Sequence, residues 1–376
     1  MSFTRRQFGK LALAGVPGTV VLGRAESIFG AFAQAKPNSL IDGVQIGAIT
    51  YSFRSMPDQS AEATLKYVLE SGINAIELMG GPVESFAGVP GSGPGGGPGG
   101  GRGAGGGRRG EGAAAPVFDS TWNGQPCNAI PPAGGAPAGG RAGGGGGRGR
   151  GEMTPEQLAA QQDAAQKLKA WRTSVSMEPF KKLRKMYNDA GVSIYAWKQL
   201  STNMSDEEYE YIFNVAEALG CSHTTLELPT DSGQLKRLGD FAARKKIYAA
   251  YHTHLQGSMT AFDEAFAVSK GNMANVDFGH WVAAGNIGGT PMQFLEKHHA
   301  RIASYHLKDR TRPEHCGLNV PWGSGETPIK EILHLVRKNK WKFPGSIEME
   351  YNVPEGSDPV KEVRRCVEFC RQALSS

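Results

Sequence analysis

Ile302-Ala303-Ser304-Tyr305-His306-Leu307-Lys308-Asp309 decides the fold, because its residues sort into two sets with a period of two. Ile302, Ser304, His306 and Lys308 face one way and Ala303, Tyr305 and Leu307 the other, as in a strand wedged between a barrel interior and an outer layer of helices. His306 then points inward near the C-terminal end of the strand. Three further runs read as strands ending in an inward acid: Thr225-Leu226-Glu227 before Pro229, Asn275-Val276-Asp277 before Gly279, and Ser346-Ile347-Glu348-Met349-Glu350 before Asn352. One imidazole and three carboxylates converging on a point form the ligand set of one divalent metal ion. Mn²⁺ and Zn²⁺ suit it first, with Co²⁺ and Mg²⁺ as further candidates.

Outward from this stretch, strand and helix patterns alternate. Strands are expected at 44–51, 74–78, 192–198, 223–228, 247–254, 273–278, around His306, and at 346–351. Helical sequence runs over 60–70, 155–171, 177–189, 206–219, 232–246, 261–269, 291–299, 327–338 and 359–373. Eight strands with a helix after each predict the α/β class and a (β/α)₈ TIM barrel as a single domain, spanning 34–376.

Two segments stand apart from the barrel pattern. Thr4-Arg5-Arg6-Gln7-Phe8-Gly9-Lys10 precedes an apolar run from Leu11 to Gly23, and Ala31-Phe32-Ala33 offers a small-residue cleavage site. Residues 1–33 therefore read as a twin-arginine export signal, too short and proline-interrupted at Pro17 to span a bilayer, which predicts a periplasmic or otherwise exported protein with no stable membrane insertion. The second segment, 88–151 after strand two, is dominated by glycine, with alanine, proline and Arg102, Arg108, Arg109, Arg141, Arg148 and Arg150. Such a composition buries too little apolar surface to offset its ordering entropy and reads as a disordered insertion. Its central Pro116 to Asn123 carries aromatics that are expected to dock on the body, over the mouth where barrel lids reside.

Charge and cysteines narrow the partners. The formal charge of +5 falls to about +2 once Arg5, Arg6, Lys10, Arg24 and Glu26 leave with the signal, so charge implies no nucleic-acid partner. The arginine-glycine tract also lacks the interleaved aromatics that stack on bases. Cys127, Cys221, Cys316, Cys366 and Cys370 show no paired spacing and read as structural thiols.

Leu226-Glu227, Asp277-Phe278-Gly279-His280, His306-Leu307-Lys308-Asp309, Trp322-Gly323-Ser324-Gly325-Glu326 and Ser346-Ile347-Glu348 resemble the xylose-isomerase-like superfamily, which includes sugar phosphate isomerases and epimerases. The resemblance spans about 44–373 outside the insertion. It implies that Glu227, Asp277, His306 and Glu348 hold the metal and that Glu227 and Glu348 move the proton from opposite faces of a bound sugar. It also implies that His280 bonds substrate oxygens or an outer ligand, that Glu348 is the ligand in preference to Glu350, and that Arg310 or Arg312 contacts the sugar. His254 and Lys198 join them, and Glu350, as substrate-binding candidates; His252 reads as a satisfied histidine deeper in the barrel, and Glu77 as a structural or hydroxyl-binding acid. Trp197 and Tyr51 are candidates for an apolar sugar platform.

The expected chemistry is metal-dependent proton abstraction beside a sugar carbonyl, through an enediolate, giving isomerisation or epimerisation of a carbohydrate or keto-sugar. One alternative keeps the site but expels a substituent from a 3-keto-glycoside, as a lyase or hydrolase-type enzyme; another is a non-catalytic sugar-binding barrel. A trinuclear nuclease would need histidines on the early strands, yet all nine histidines lie at or after His223. Homo-oligomerisation is left open by the sequence.

Overall fold

A computed structural model describes residues 36–91, 121–127 and 154–376. Its eight parallel strands are β1 (Val44–Ile49), β2 (Ala75–Met79), β3 (Ser193–Lys198), β4 (His223–Glu227), β5 (Tyr248–His252), β6 (Asn272–Asp277), β7 (Ile302–Leu307) and β8 (Gly345–Ile347). Each pairs with the next, and β8 pairs with β1 through Gly345 beside Ile46 and Ile347 beside Ala48, so the barrel closes. A two-residue strand, Leu40–Ile41, folds back antiparallel on β1. At Gly47 a Cβ would lie 2.8 Å from the Tyr195 ring and 2.9 Å from the Ala75 carbonyl, so the interior at this level admits only glycine.

The helices follow their own sequence signals. Ser60 caps α1 (Ala61–Ser71) by accepting from the Ala63 amide, and Gly72 closes it in the left-handed conformation. Between β2 and β3 lie α2 (Gly80–Phe86), α3 (Pro155–Arg172) and α4 (Glu178–Asp189). Then come α5 (Asp206–Leu219) and α6 (Ser232–Lys245), each after its strand, and α7 (Asp263–Val268) before β6. α8 (Phe278–Ala283) and α9 (Pro291–His298) follow β6, α10 (Ile329–Asn339) follows β7, and α11 (Pro359–Ser375) ends the chain. No described helix is long and apolar enough to cross a membrane.

The expected strands and main helices are present, with three differences that matter for the site. β5 stops at His252, so His254 lies on the loop beyond it, and β8 stops at Ile347, leaving Glu348 and Glu350 just past its end. The short helices α2 and α8 were not expected; α8 starts directly at the end of β6, where Asp277 accepts from the His280 amide. The third concerns cysteine: Cys127 and Cys316 form a disulfide across 189 residues, correcting the reading of five thiols, while Cys221, Cys366 and Cys370 are buried and free.

The leader and most of the 88–151 segment lie outside the described residues. Within the segment, Thr121–Trp122 pairs with Gln125–Pro126 in a small hairpin, and Cys127 ties it to the loop after β7. On either side of the segment, Arg172 at the end of α3 makes a buried bidentate pair with Glu84 of α2, at 2.8 and 3.2 Å, and Tyr211 and Gln199 donate to the same carboxylate. The interruption in sequence is thus bridged in space.

Candidate metal centre

His306 is built from two sides. Its Nε2 lies 2.8 Å from Glu77 Oε2, and Glu77 also accepts from Thr225 Oγ1 at 2.7 Å and from Asn275 Nδ2. Its Nδ1 lies 2.7 Å from Glu348 Oε2 and 3.9 Å from Asp277 Oδ2. Burial alone opposes a charged imidazole, but the Glu77 and Glu348 carboxylates outweigh it and push His306 up to about 10. The same contact holds Glu77 down at about 2, although burial acts to raise it. Glu77 therefore fixes the ring and its Nε2 proton, leaving Nδ1 aimed at the acids.

Ligand atoms of His252, Asp277, His306 and Glu348 all lie within 4.8 Å of one another, and the four residues are buried. His252 Nε2 is 4.0 Å from Asp277 Oδ2, which Lys308 Nζ meets at 3.0 Å, and His252 Nδ1 makes no hydrogen bond. His252 is thus not the satisfied histidine that its depth suggested. Burial and the neighbouring Lys198 and His306 charges hold its ring neutral, with a basicity well below the ordinary histidine value, as a ligand requires. Asp277 is shifted upward by burial, against the pull of Lys308. Burial opposes ionisation of Glu348 too, but Lys308 and His306 keep it well below the usual range.

A divalent ion suits this donor set. Two imidazoles and two carboxylates match Mn²⁺ or Zn²⁺ chemistry, and the buried His252 Nδ1 lacks the partner that buried polar groups normally have. The local charge agrees: Glu77, Glu227, Asp277, Glu348 and Glu350 outnumber Lys198, Lys308, Arg310 and the charged His306 by one, and a divalent ion that displaces the His306 proton would bring the group to neutrality.

The other expected residues fall into two groups around this centre. Glu227 stands apart from the four: Lys198 Nζ is 3.0 Å from its Oε1, and His254 Nδ1 is 3.4 Å from its Oε2, a buried oxygen that accepts no hydrogen bond. Lys198 is shifted upward, burial notwithstanding, by Glu227, Glu77 and Glu348. On the other side, Lys308 Nζ reaches Glu350 at 2.6 Å and His280 Nε2 at 3.1 Å, and Arg310 bonds His280 Nδ1 and the Gly317 carbonyl. His254 and His280 lie ring to ring at 4.7 Å, joining the two groups. Arg310 is therefore the arginine that reaches the site; Arg312 is half-exposed and pairs with Glu326 and Glu314 instead. Tyr51 stays at the surface under Arg54, whereas Trp197 is fully buried against Tyr211 and provides no platform.

Sequence reasoning passed over His252, Lys308 and the depth of Glu77's role. The signal was available in part, because His252 pairs in register with Glu227 on β4 and Asn275 on β6, and Lys308 shares its face with His306. The Asp309 side chain meanwhile gathers the amides of Gly323, Gly325 and Thr327, and a Cβ at Gly325 would lie 2.3 Å from Asp309 Oδ1. This explains why the Trp322 to Glu326 loop accompanies the His306 strand.

Residues 213–373 match the family described as xylose isomerase-like TIM barrel. Among solved structures, a sugar phosphate isomerase/epimerase from Parabacteroides distasonis aligns over 92% of this chain and 98% of its own, with 13% identity and a TM-score of 0.51. A probable 3-DHS dehydratase involved in petrobactin synthesis, from Bacillus anthracis, aligns over 87% of this chain and 98% of its own, with 13% identity and a TM-score of 0.50. No curated protein sequence matches the chain. The likeness is one of fold: a closed eight-stranded parallel barrel with its acidic and imidazole groups at the C-terminal ends of the strands, where such barrels carry their sites.

Proposed function

We propose that this xylose isomerase-like barrel is a metal-dependent carbohydrate isomerase or epimerase that removes a proton beside a sugar carbonyl. The observation that carries the proposal is the separation of the buried His252, Asp277, His306 and Glu348 group from Glu227, which keeps a carboxylate oxygen without a hydrogen bond at its edge. His252, Asp277, His306 and Glu348 would hold the ion, and a divalent ion there supplies Lewis-acid stabilisation to an oxyanion. Glu227 takes the proton from the carbon next to the carbonyl, and the electron pair of that bond passes to the carbonyl oxygen. Lys198 positions Glu227, and His254 faces the sugar hydroxyls, while His280 is held between Lys308 and Arg310. Glu348 is bound by His306 and Lys308, so the second proton-transfer role expected of it falls behind Glu227. One available base that removes and returns the proton on one face favours isomerisation over two-base epimerisation.

Among the described cations at the mouth, Lys198 is paired with Glu227, Lys308 with three carboxylates and Arg312 with Glu326, leaving Arg310 and Arg54 bonded to neutral groups. With most of the positive charge already paired, we read the substrate as a keto-sugar or keto-glycoside ahead of a phosphate ester. With a keto-glycoside, the same proton removal expels the neighbouring substituent, which is the lyase reading. The names of the two structural relatives, isomerase/epimerase and dehydratase, span both outcomes. We also propose export, for which the Cys127–Cys316 bond speaks, as disulfides persist in oxidising compartments.

Incubation of the Mn²⁺-loaded protein in D₂O with a panel of keto-sugars and 3-keto-glycosides tests the reading. Deuterium should enter at the carbon beside the carbonyl of an isomerised sugar, and Glu227→Gln should abolish this while keeping the metal. Undiminished exchange in Glu227→Gln would remove Glu227 as the base.

A further inference from the structure

Lys308 is the side chain that the reaction just described leaves without a part. It is 2% exposed, and its ammonium lies 3.0 Å from Asp277 Oδ2 and 2.9 Å from Glu348 Oε2. Glu348 Oε2 is the same oxygen that faces His306 Nδ1, and Asp277 Oδ2 the one that faces His252 Nε2. Glu350, outside the group of four, takes the shortest contact with the ammonium, 2.6 Å, and His280 Nε2 lies 3.1 Å away. Lys308 therefore reaches two sets of partners from one position, one inside the prospective ligand group and one beside it.

We propose that Lys308 is a tethered cation that competes with the metal for the Asp277 and Glu348 oxygens, and that Glu350 receives it when the metal binds. The inference rests on the metal reading above. Two buried carboxylates without a cation repel each other and are costly to keep ionised, so an ammonium built into β7's end keeps the metal-free site assembled. A divalent ion binding the same oxygens is repelled by that ammonium at close range in a poorly solvated place. Glu350 offsets the repulsion by offering Lys308 an anion outside the ligand group. Lys308 thus stabilises the metal-free protein more than the loaded one, and by linkage it must weaken metal binding.

Calorimetric titration of Mn²⁺ into the metal-stripped full-length protein tests this, alongside thermal unfolding of both forms. Saturable binding to the wild-type protein checks the metal reading itself, and comparison with the variants checks the inference. Lys308→Met should lower the Tm of the metal-free protein and bind Mn²⁺ at least about tenfold more tightly. Glu350→Gln should weaken Mn²⁺ binding several-fold, and that loss should vanish in the Lys308→Met background, because Glu350 acts through the lysine. Equal or weaker Mn²⁺ binding by Lys308→Met overturns the proposal. So does an undiminished Glu350→Gln effect in the double variant, an outcome that remains readable if Lys308→Met is only marginally folded.

Discussion

At the scale of residues, the centre depends on who orients whom. Glu77 touches no prospective ligand atom except through His306, yet it holds the ring from behind. Glu77→Gln should therefore loosen metal binding by about 10–100-fold while leaving the four ligand residues in place, as read by Mn²⁺ titration. An unchanged affinity would mean that β7's packing alone orients His306. His223, one level lower in the barrel, behaves differently: burial holds it down at about 4, between Ser222 and Ser304 hydroxyls. Its folded-state value lies below the ordinary one near 6.5, so the stability it contributes is present above that pH and is lost as pH falls toward 4. The loss is on the order of 3 kcal/mol for a fully buried ring. Urea unfolding at pH 7 and pH 4.5 should show a smaller acid loss for His223→Gln than for the wild type; parallel losses would contradict the assignment. Glu227 and His252 could not be ranked from the sequence, because an acid ending one strand and a histidine ending the next carry the same inward signal; the proposed choice of His252 rests on its grouping in space with Asp277, His306 and Glu348.

At the scale of elements, the period-two runs made the strands legible, and glycine, serine and proline signals marked the helices they cap. The short helices α2 and α8 were not legible, since six or seven residues hold too few turns for a period to show. The pair that bridges α2 and α3 is also invisible in sequence, with Glu84 and Arg172 lying 88 positions apart. Removing one member of a buried, bidentate pair strands the other charge, so Arg172→Ala should cost about 3–5 kcal/mol in chemical denaturation. Arg172→Met with Glu84→Leu should recover much of that loss, because both charges then go together. A double variant as unstable as the single one would show that the packing, not the charge, is what the site requires.

For the whole molecule, the barrel was readable because each strand and helix repeats a local pattern, whereas the disulfide joins positions 189 residues apart with no local signature. The Cys127–Cys316 bond anchors the 121–127 hairpin beside the loop whose Gly317 carbonyl holds Arg310. Cys127→Ser with Cys316→Ser should lower stability by roughly 2–4 kcal/mol and raise hydrogen exchange over 309–327, and a reductant should reproduce both effects in the wild type only. The central claim, however, concerns one ion held by His252, Asp277, His306 and Glu348. Elemental analysis of the purified protein after Mn²⁺ loading and gel filtration tests it most directly. The account predicts about one ion per chain in the wild type and in Glu227→Gln, and almost none in His252→Ala or Asp277→Asn. No retained metal in the wild type, or equal retention by His252→Ala and loss by Glu227→Gln, would contradict it.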